Sequence, residues 1–315
     1  MKNYRSIVKD IKGPIVPIIP AFHANQNLDV ESTCRWIDWL IGKGIKLFWT
    51  TNGTTHYVCL SDAEIMELTK ALAHTISGRG IFIASTAFHW PVKQCRDFIQ
   101  YAADCGASIV KAQVNWALAP TEDRVFEHYR EIAASSPLPL FAYSLAVPGT
   151  SQGISNRLLQ RLLTLPQFIG LKNDKDDFYG EADYLQTVRE HADTSEFAVI
   201  TGGSMSSYLF GYDFGQRAFA DIVAWFAPEI SLAFSKCLDQ GRRAEAIRIV
   251  KDWQEPTWKQ WQNIPGWAPH FTWTRTILHL MGLFESNATR FPTQALQDND
   301  IDAVRKFIAD KNIRP

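Results

Sequence analysis

A chain of 315 residues can bury a large core, and its 32 basic against 33 acidic residues leave a net charge of −1, so no global field recruits nucleic acid or an anionic membrane. No apolar run approaches the ~20 residues that span a bilayer, and Met1-Lys2-Asn3-Tyr4-Arg5 lacks the apolar stretch of a signal peptide. Cys34, Cys59, Cys95, Cys105 and Cys237 are scattered, odd in number and without a CxxC pair, which predicts reduced thiols in a cytoplasmic protein and argues against structural zinc.

In chain order, the β-branched run Ile15–Pro20 predicts a strand, and Asn25-Gln26-Asn27 a turn. Val30–Lys43 has helical spacing and ends at Gly44. Ile45–Thr51 is the second strand, followed by Asn52-Gly53-Thr54-Thr55, and Ser61, Asp62 and Glu64 start the helix Ala63–Ile76 with a capping box. The pattern repeats as strand Ile81–Ser85 and helix Pro91–Ala103, strand Ser108–Val114 and helix Glu122–Ala134, strand Leu138–Tyr143 and helix Asn156–Leu163. Strand Phe168–Lys172 precedes helix Tyr179–His191, strand Phe197–Thr201 precedes Ser204–Phe210, and strand Gln216–Ile222 precedes Pro228–Asp239. Eight strand–helix units with short connections predict a (β/α)8 TIM barrel. A doubly wound open sheet would want a Gly-rich turn after its first strand, and Pro20-Ala21-Phe22-His23 is not one. Residues 1–225 are assigned to the barrel strands and first seven helices, and 226–315 to the eighth helix and a C-terminal helical extension containing Arg242–Trp258, Trp273–Leu283 and Ile301–Lys311. Trp258, Trp261, Trp267 and Trp273 crowd around Pro265-Gly266 and read as structural or as an oligomer contact rather than as a ligand cage.

In such barrels the site lies at the C-terminal strand ends. There the sequence places Asn52-Gly53-Thr54-Thr55, Tyr143, Lys172, Gly202-Gly203-Ser204 and, on the eighth strand, Ala220 beside Asp221. A lysine held against an apolar wall loses hydration, its pKa falls from about 10.4 toward neutrality, and the amine attacks ketones. Adjacent strands lie about 4.8 Å apart, which puts Tyr143 within side-chain reach of Lys172. Thr54, Thr55 and the Gly53 amide offer small donors for a carboxylate next to the ketone, and Gly202-Gly203-Ser204 offers a place for a phosphate or a sugar hydroxyl. The acidic run Asp174, Asp176 and Asp177 lacks the spacing of a calcium loop and reads as solvated. His23, His56 and His89 show no metal-ligand spacing with nearby carboxylates and read as satisfied loop residues, so no metal is expected.

These residues resemble the dihydrodipicolinate synthase and N-acetylneuraminate lyase superfamily of class I Schiff-base barrels. The likeness runs through Pro17–Phe22 with Leu28-Asp29, Asn52–Ser61, Leu138–Tyr143, Ile169–Lys172, and Thr276 through Arg290-Phe291-Pro292. It implies Lys172 as imine former, Tyr143 as proton relay and Thr54, with Thr55, as carboxylate binder, with Gly53, Gly202 and Ala220 in the substrate site. It also implies no cofactor, and a homo-oligomer, dimer or tetramer. The chain departs from the family at Gly53, in place of the motif's first threonine, and at His56, in place of its glutamate. No phenol stands near Trp116-Ala117, where a neighbouring subunit's tyrosine would fall, and Tyr143–Pro148 offers no arginine for a second carboxylate. The expected activity is a lyase forming a lysine Schiff base with a pyruvate-type 2-oxo acid, by aldol cleavage or condensation or by dehydration of a 2-keto-3-deoxy sugar acid. Dihydrodipicolinate synthase activity itself is not expected. The alternatives are a non-catalytic keto-acid-binding relative acting as sensor or scaffold, and an unrelated barrel enzyme in which Lys172 is an electrostatic group.

Overall fold

A computed structural model describes residues 4–144, 153–174, 178–262, 264, 269–291 and 293–315. The expectations placed on Leu145–Pro148, on Lys175, Asp176 and Asp177, on Pro265-Gly266 and Trp267, and on Pro292 lie outside the described residues, as does the side chain of Ala117. Eight parallel strands, β1 (Gly13–Pro17), β2 (Leu47–Trp49), β3 (Ile81–Ser85), β4 (Ile109–Lys111), β5 (Leu140–Ser144), β6 (Phe168–Asn173), β7 (Ala198–Thr201) and β8 (Ala218–Ala220), close in sequence order, with β8 pairing β1. The (β/α)8 barrel is thus observed. A short antiparallel pair, Ala21–Phe22 with Leu28–Asp29, follows β1.

The helices α1 (Val30–Gly42), α2 (Asp62–Ile76), α3 (Val92–Cys105), α4 (Glu122–Ala133), α5 (Asn156–Leu163), α6 (Phe178–His191), α7 (Ser204–Gly211) and α8 (Pro228–Asp239) follow the strands. Their starts obey local chemistry. Asp29 caps α1 by accepting from the Ser32 N–H, and Ser61 and Glu64 form the expected capping box on α2. Two apolar layers result. Ile15, Leu47, Ile83, Ile109, Phe141, Ile169 and Ile200 fill the barrel interior, while alternate strand residues pack outward against the helices.

Several strands are shorter than their apolar runs. The N–H of Ile45 closes α1 on the Leu40 carbonyl instead of joining the sheet, and Thr50 and Thr51 leave β2 to begin the loop over the barrel mouth. Between β5 and β6 the register shifts after Leu140↔Phe168, so that Phe141 pairs with Gly170 and Tyr143 with Lys172. A side chain on Gly170 would collide with the Phe141 ring. The shift has a functional effect: Phe168 and Leu171 both face the helices, and Lys172 turns inward beside Tyr143.

Beyond α8, the stretch Arg242–Trp258 is not one helix. It divides into α9 (Arg243–Ile249), a π-helical turn (Val250–Gln254) and α10 (Glu255–Gln262), followed by α11 (Pro269–Leu280) and α12 (Asp298–Asp310). The π turn points the buried Gln254 at α7, where its carbonyl oxygen accepts from the Ser206 N–H at 3.0 Å and its amide donates to Ser206 Oγ at 2.8 Å. That extra residue per turn aims the next helix across the barrel mouth. Among the described residues no helix is long and apolar enough to cross a membrane.

Candidate active site

A cavity of about 460 Å³ opens at the C-terminal ends of the strands, with Lys172 in its wall. Thr54, Gly202 and Ala220, three of the residues expected in the site, line it with Gly203, Ser204 and Ser207. Lys172 lies with its Nζ 5.3 Å from the centre of the Trp49 ring and 4.7 Å from that of Tyr143, so the expected proximity of Tyr143 and Lys172 is observed. Thr55 and Gly53 are placed elsewhere. The Thr55 hydroxyl is buried and accepts from the Thr51 N–H at 2.8 Å, holding the loop together, and Gly53 faces solvent. Of the two expected threonines Thr54 reaches the cavity, which Thr51 also lines, and its N–H donates to Thr51 Oγ1 at 2.9 Å. Asn52 ties this loop to the end of β3 by donating to the Thr86 carbonyl and accepting from the Phe88 N–H.

Asp174 corrects the reading of the acidic run. It is not a solvated loop carboxylate: its Oδ2 accepts from the Tyr143 hydroxyl at 2.5 Å and from Lys172 Nζ. One oxygen thus joins the amine and the phenol. Gly202 provides the room, since a Cβ there would overlap Asp174 Oδ1. Burial, then the adjacent Asp174 charge and its hydrogen bond, push the Tyr143 phenol well above its usual range, so Tyr143 stays protonated and donates.

A second lysine shares the centre. Lys111, at the end of β4, is fully buried, and its Nζ has no hydrogen-bond partner among the described residues. It lies 4.6 Å from the centre of the Trp49 ring and 5.5 Å from that of Tyr143, the two rings that also flank Lys172. Burial, then the nearby Lys172 charge, hold it well below the usual lysine range, with Asp174 opposing. The alternation in Ile109-Val110-Lys111 carried the signal, because it places Lys111 on the same face as the barrel-filling Ile109.

The tryptophan cluster is also corrected. Trp258 and Trp261 of α10 line the cavity with Trp225 and with His270 of α11, so the extension roofs the site. Trp273 is different: it is buried against Phe226 and Phe307. Sequence spacing could not foresee the π turn that separates the two fates. Burial lowers His270 to about 4, so it faces the cavity as a neutral imidazole. Ser204 is held at φ 66° on the cavity wall, a conformation unfavourable for a residue with a Cβ.

The earlier histidine candidates sit outside the cavity lining. His56 is buried, and as a satisfied residue it accepts at Nδ1 from Arg275 Nη2 at 3.4 Å. His89 pairs with Asp62, and His23 with Glu285 at 3.1 Å. The latter meets Asp29 too, with the three ligand atoms within 4.8 Å of one another, a grouping the sequence spacing did not reveal. Asp221 accepts from the Val223 N–H at 3.1 Å and shapes the turn after β8; it does not line the cavity.

Comparison with known proteins agrees with this geometry. The model of the dihydrodipicolinate synthetase family matches residues 10–311. A 4-hydroxy-tetrahydrodipicolinate synthase of Herminiimonas arsenicoxydans is 29% identical over 240 residues, 76% of this chain and 79% of that protein. A probable 5-dehydro-4-deoxyglucarate dehydratase 2 of Streptomyces avermitilis is 23% identical over 253 residues, 79% of this chain and 73% of that protein. Among solved structures, YagE, a prophage protein of the dihydrodipicolinic acid synthase family from E. coli K12 in complex with pyruvate, superposes with a TM-score of 0.84 at 19% identity, covering 96% of this chain and 99% of its own.

Proposed function

Because the chain belongs to the dihydrodipicolinate synthetase family, we propose that it is a lyase that captures a pyruvate-type 2-oxo acid as a Schiff base on Lys172. The observation that carries this reading is the placement of the Lys172 amine in the wall of the cavity at the strand ends, bonded to Asp174 and beside Tyr143. An iminium on Lys172 draws electrons from the neighbouring C3, so that either the C3–C4 bond breaks or C3 loses a proton and the resulting enamine expels the C4 hydroxyl as water. In this reading Thr54 binds the substrate carboxylate, and Tyr143, a phenol at the imine, serves proton transfer at C3. The Ser204 and Ser207 hydroxyls and neutral His270 lie on the cavity wall, and no arginine is among its described lining residues. This supports a neutral, hydroxyl-bearing tail rather than a second carboxylate, and so a 2-keto-3-deoxy acid in preference to the substrate of lysine biosynthesis.

The test is borohydride reduction in the presence of pyruvate, followed by intact mass and peptide mapping. The expected result is one pyruvyl adduct on Lys172, absent in Lys172→Arg, with turnover of 2-keto-3-deoxy acids lost in the same variant. A folded wild-type protein that gives no adduct would sink the reading. Adduct formation without turnover of any acid in the panel would favour a keto-acid-binding protein.

A further inference from the structure

We propose that Asp174 is the proton carrier of Schiff-base formation, accepting the proton that Lys172 must lose and returning it to the departing water. The proposal rests on the reading of Lys172 as the imine former and adds a catalytic residue to it. Asp174 Oδ2 is bonded to Lys172 Nζ and to the Tyr143 hydroxyl, so no rearrangement is needed for the proton to move. The carboxylate has a built place: Gly202, at the end of β7, lacks the side chain that would exclude it. The backbone braces it as well, because the Asp174 N–H donates to the Ser144 carbonyl at 3.1 Å and the Gly202 N–H to the Asn173 carbonyl at 2.7 Å.

The balance is complete. The Lys172 ammonium gives its proton to Asp174, and the freed electron pair forms the N–C2 bond while the ketone π pair moves to oxygen. The N–H proton then passes to that oxygen, with the Tyr143 hydroxyl adjacent to relay it. Protonated Asp174 next protonates the carbinolamine hydroxyl, the C2–O bond breaks, water leaves, and the nitrogen pair closes the C=N bond. An ammonium facing a carboxylate becomes an iminium facing the same carboxylate. No charge is created or lost in a poorly solvated site, where an unpaired charge is costly.

Buried Lys111 makes this carrier more useful. Among the described residues the inner wall already holds one amine with no hydrogen-bond partner, and Asp174 is a carboxylate that acts on both lysines.

The experiment is the rate of pyruvate adduct formation, followed by quenched borohydride trapping in wild type, Asp174→Asn and Asp174→Ala. Asp174→Asn keeps a hydrogen-bonding group of the same shape but carries no proton, and trapping is expected to slow about 10²- to 10⁴-fold. Formate added to Asp174→Ala is expected to restore the rate in proportion to its concentration, which a purely structural role would not produce. Gly202→Ala, which displaces the carboxylate without removing it, should give an intermediate loss. Circular dichroism confirms that each variant is folded. Wild-type trapping with an unchanged rate in Asp174→Asn overturns this proposal and leaves the lyase reading standing. Absence of any adduct in wild type overturns both.

Discussion

Lys111 offers a direct measure of what the barrel interior does to a charge. Its ammonium would have two aromatic faces near it and, among the described residues, no acceptor, and burial holds its pKa well below the usual value. The unfolded chain restores a pKa near about 10.4. Between the folded and unfolded values the unfolded state holds one more proton, and the native state therefore loses stability as the pH falls from about 10.4, by up to about 1.4 kcal/mol per pH unit. Lys111→Met fills similar space without a titratable group. The variant should be more stable than wild type at pH 7, and its stability should rise less between pH 7 and 10. Urea unfolding at four pH values checks this, and parallel slopes for the two proteins would refute it. Lys172 was legible because it ends an apolar strand next in order to one ending in Tyr143. Asp174 was not, since it lies one residue beyond β6 at the head of an acidic run, and the run's composition describes solvated carboxylates. Its role emerges only when β7 is placed alongside and Gly202 is seen to leave a gap.

At the scale of elements, the strand-to-helix alternation was readable throughout. Asn156–Leu163, Ile81–Ser85 and Pro228–Asp239 have the bounds their sequence signals imply. The differences fall where tertiary contacts override local pattern. The periodicity of Arg242–Trp258 continues without interruption in sequence, yet the Gln254–Ser206 bonds favour a π turn and redirect the chain. Consequently α10 lies over the cavity, with Trp258 partly exposed on the roof and Trp261 beside His270 at 5.3 Å between ring centres. With a 2-oxo acid held at Lys172 as proposed, such a roof would meet the substrate's tail and not its 2-oxo acid end. Removing one ring contact should cost about 1 kcal/mol. Trp258→Ala is therefore expected to raise KM for a six-carbon 2-keto-3-deoxy acid roughly five- to tenfold, while the rate of trapping pyruvate stays at the wild-type value. An equal loss in both assays would show that the roof holds the site together instead of contacting the tail.

At the scale of the whole molecule, the extension and the barrel are one folded body. A single apolar core runs from Val16 on β1 through Phe226 and Trp273 to Phe307 on α12, so the assigned boundary at 225/226 does not separate two cores. One buried polar link across this body is Arg275 of α11, whose Nε donates to the Pro20 carbonyl at 3.1 Å and whose guanidinium lies 5.0 Å from the Phe22 ring centre. Burial lowers it to about 9, which leaves it charged at neutral pH. The described groups around it supply carbonyls and His56, and burial, followed by the charge of Arg275 itself, lowers that imidazole to about 2, so it remains neutral. A buried cation facing a neutral acceptor lacks the compensation a carboxylate would give. The residue at which this chain departs from the family's glutamate is thus the one that faces the uncompensated charge. His56→Glu should place a carboxylate against the guanidinium, with the φ of 54° at that position costing Glu more than His and offsetting part of the gain. The expected gain is about 1–3 kcal/mol, seen as a rise of a few degrees in Tm at pH 7. The added glutamate is stabilised as a carboxylate, so its folded pKa lies below the unfolded value near about 4.3, and the gain should be present above that pH and disappear as the pH falls through the folded value. A Tm that falls in His56→Glu at pH 7 would show that the carbonyls and the Phe22 face already satisfy Arg275.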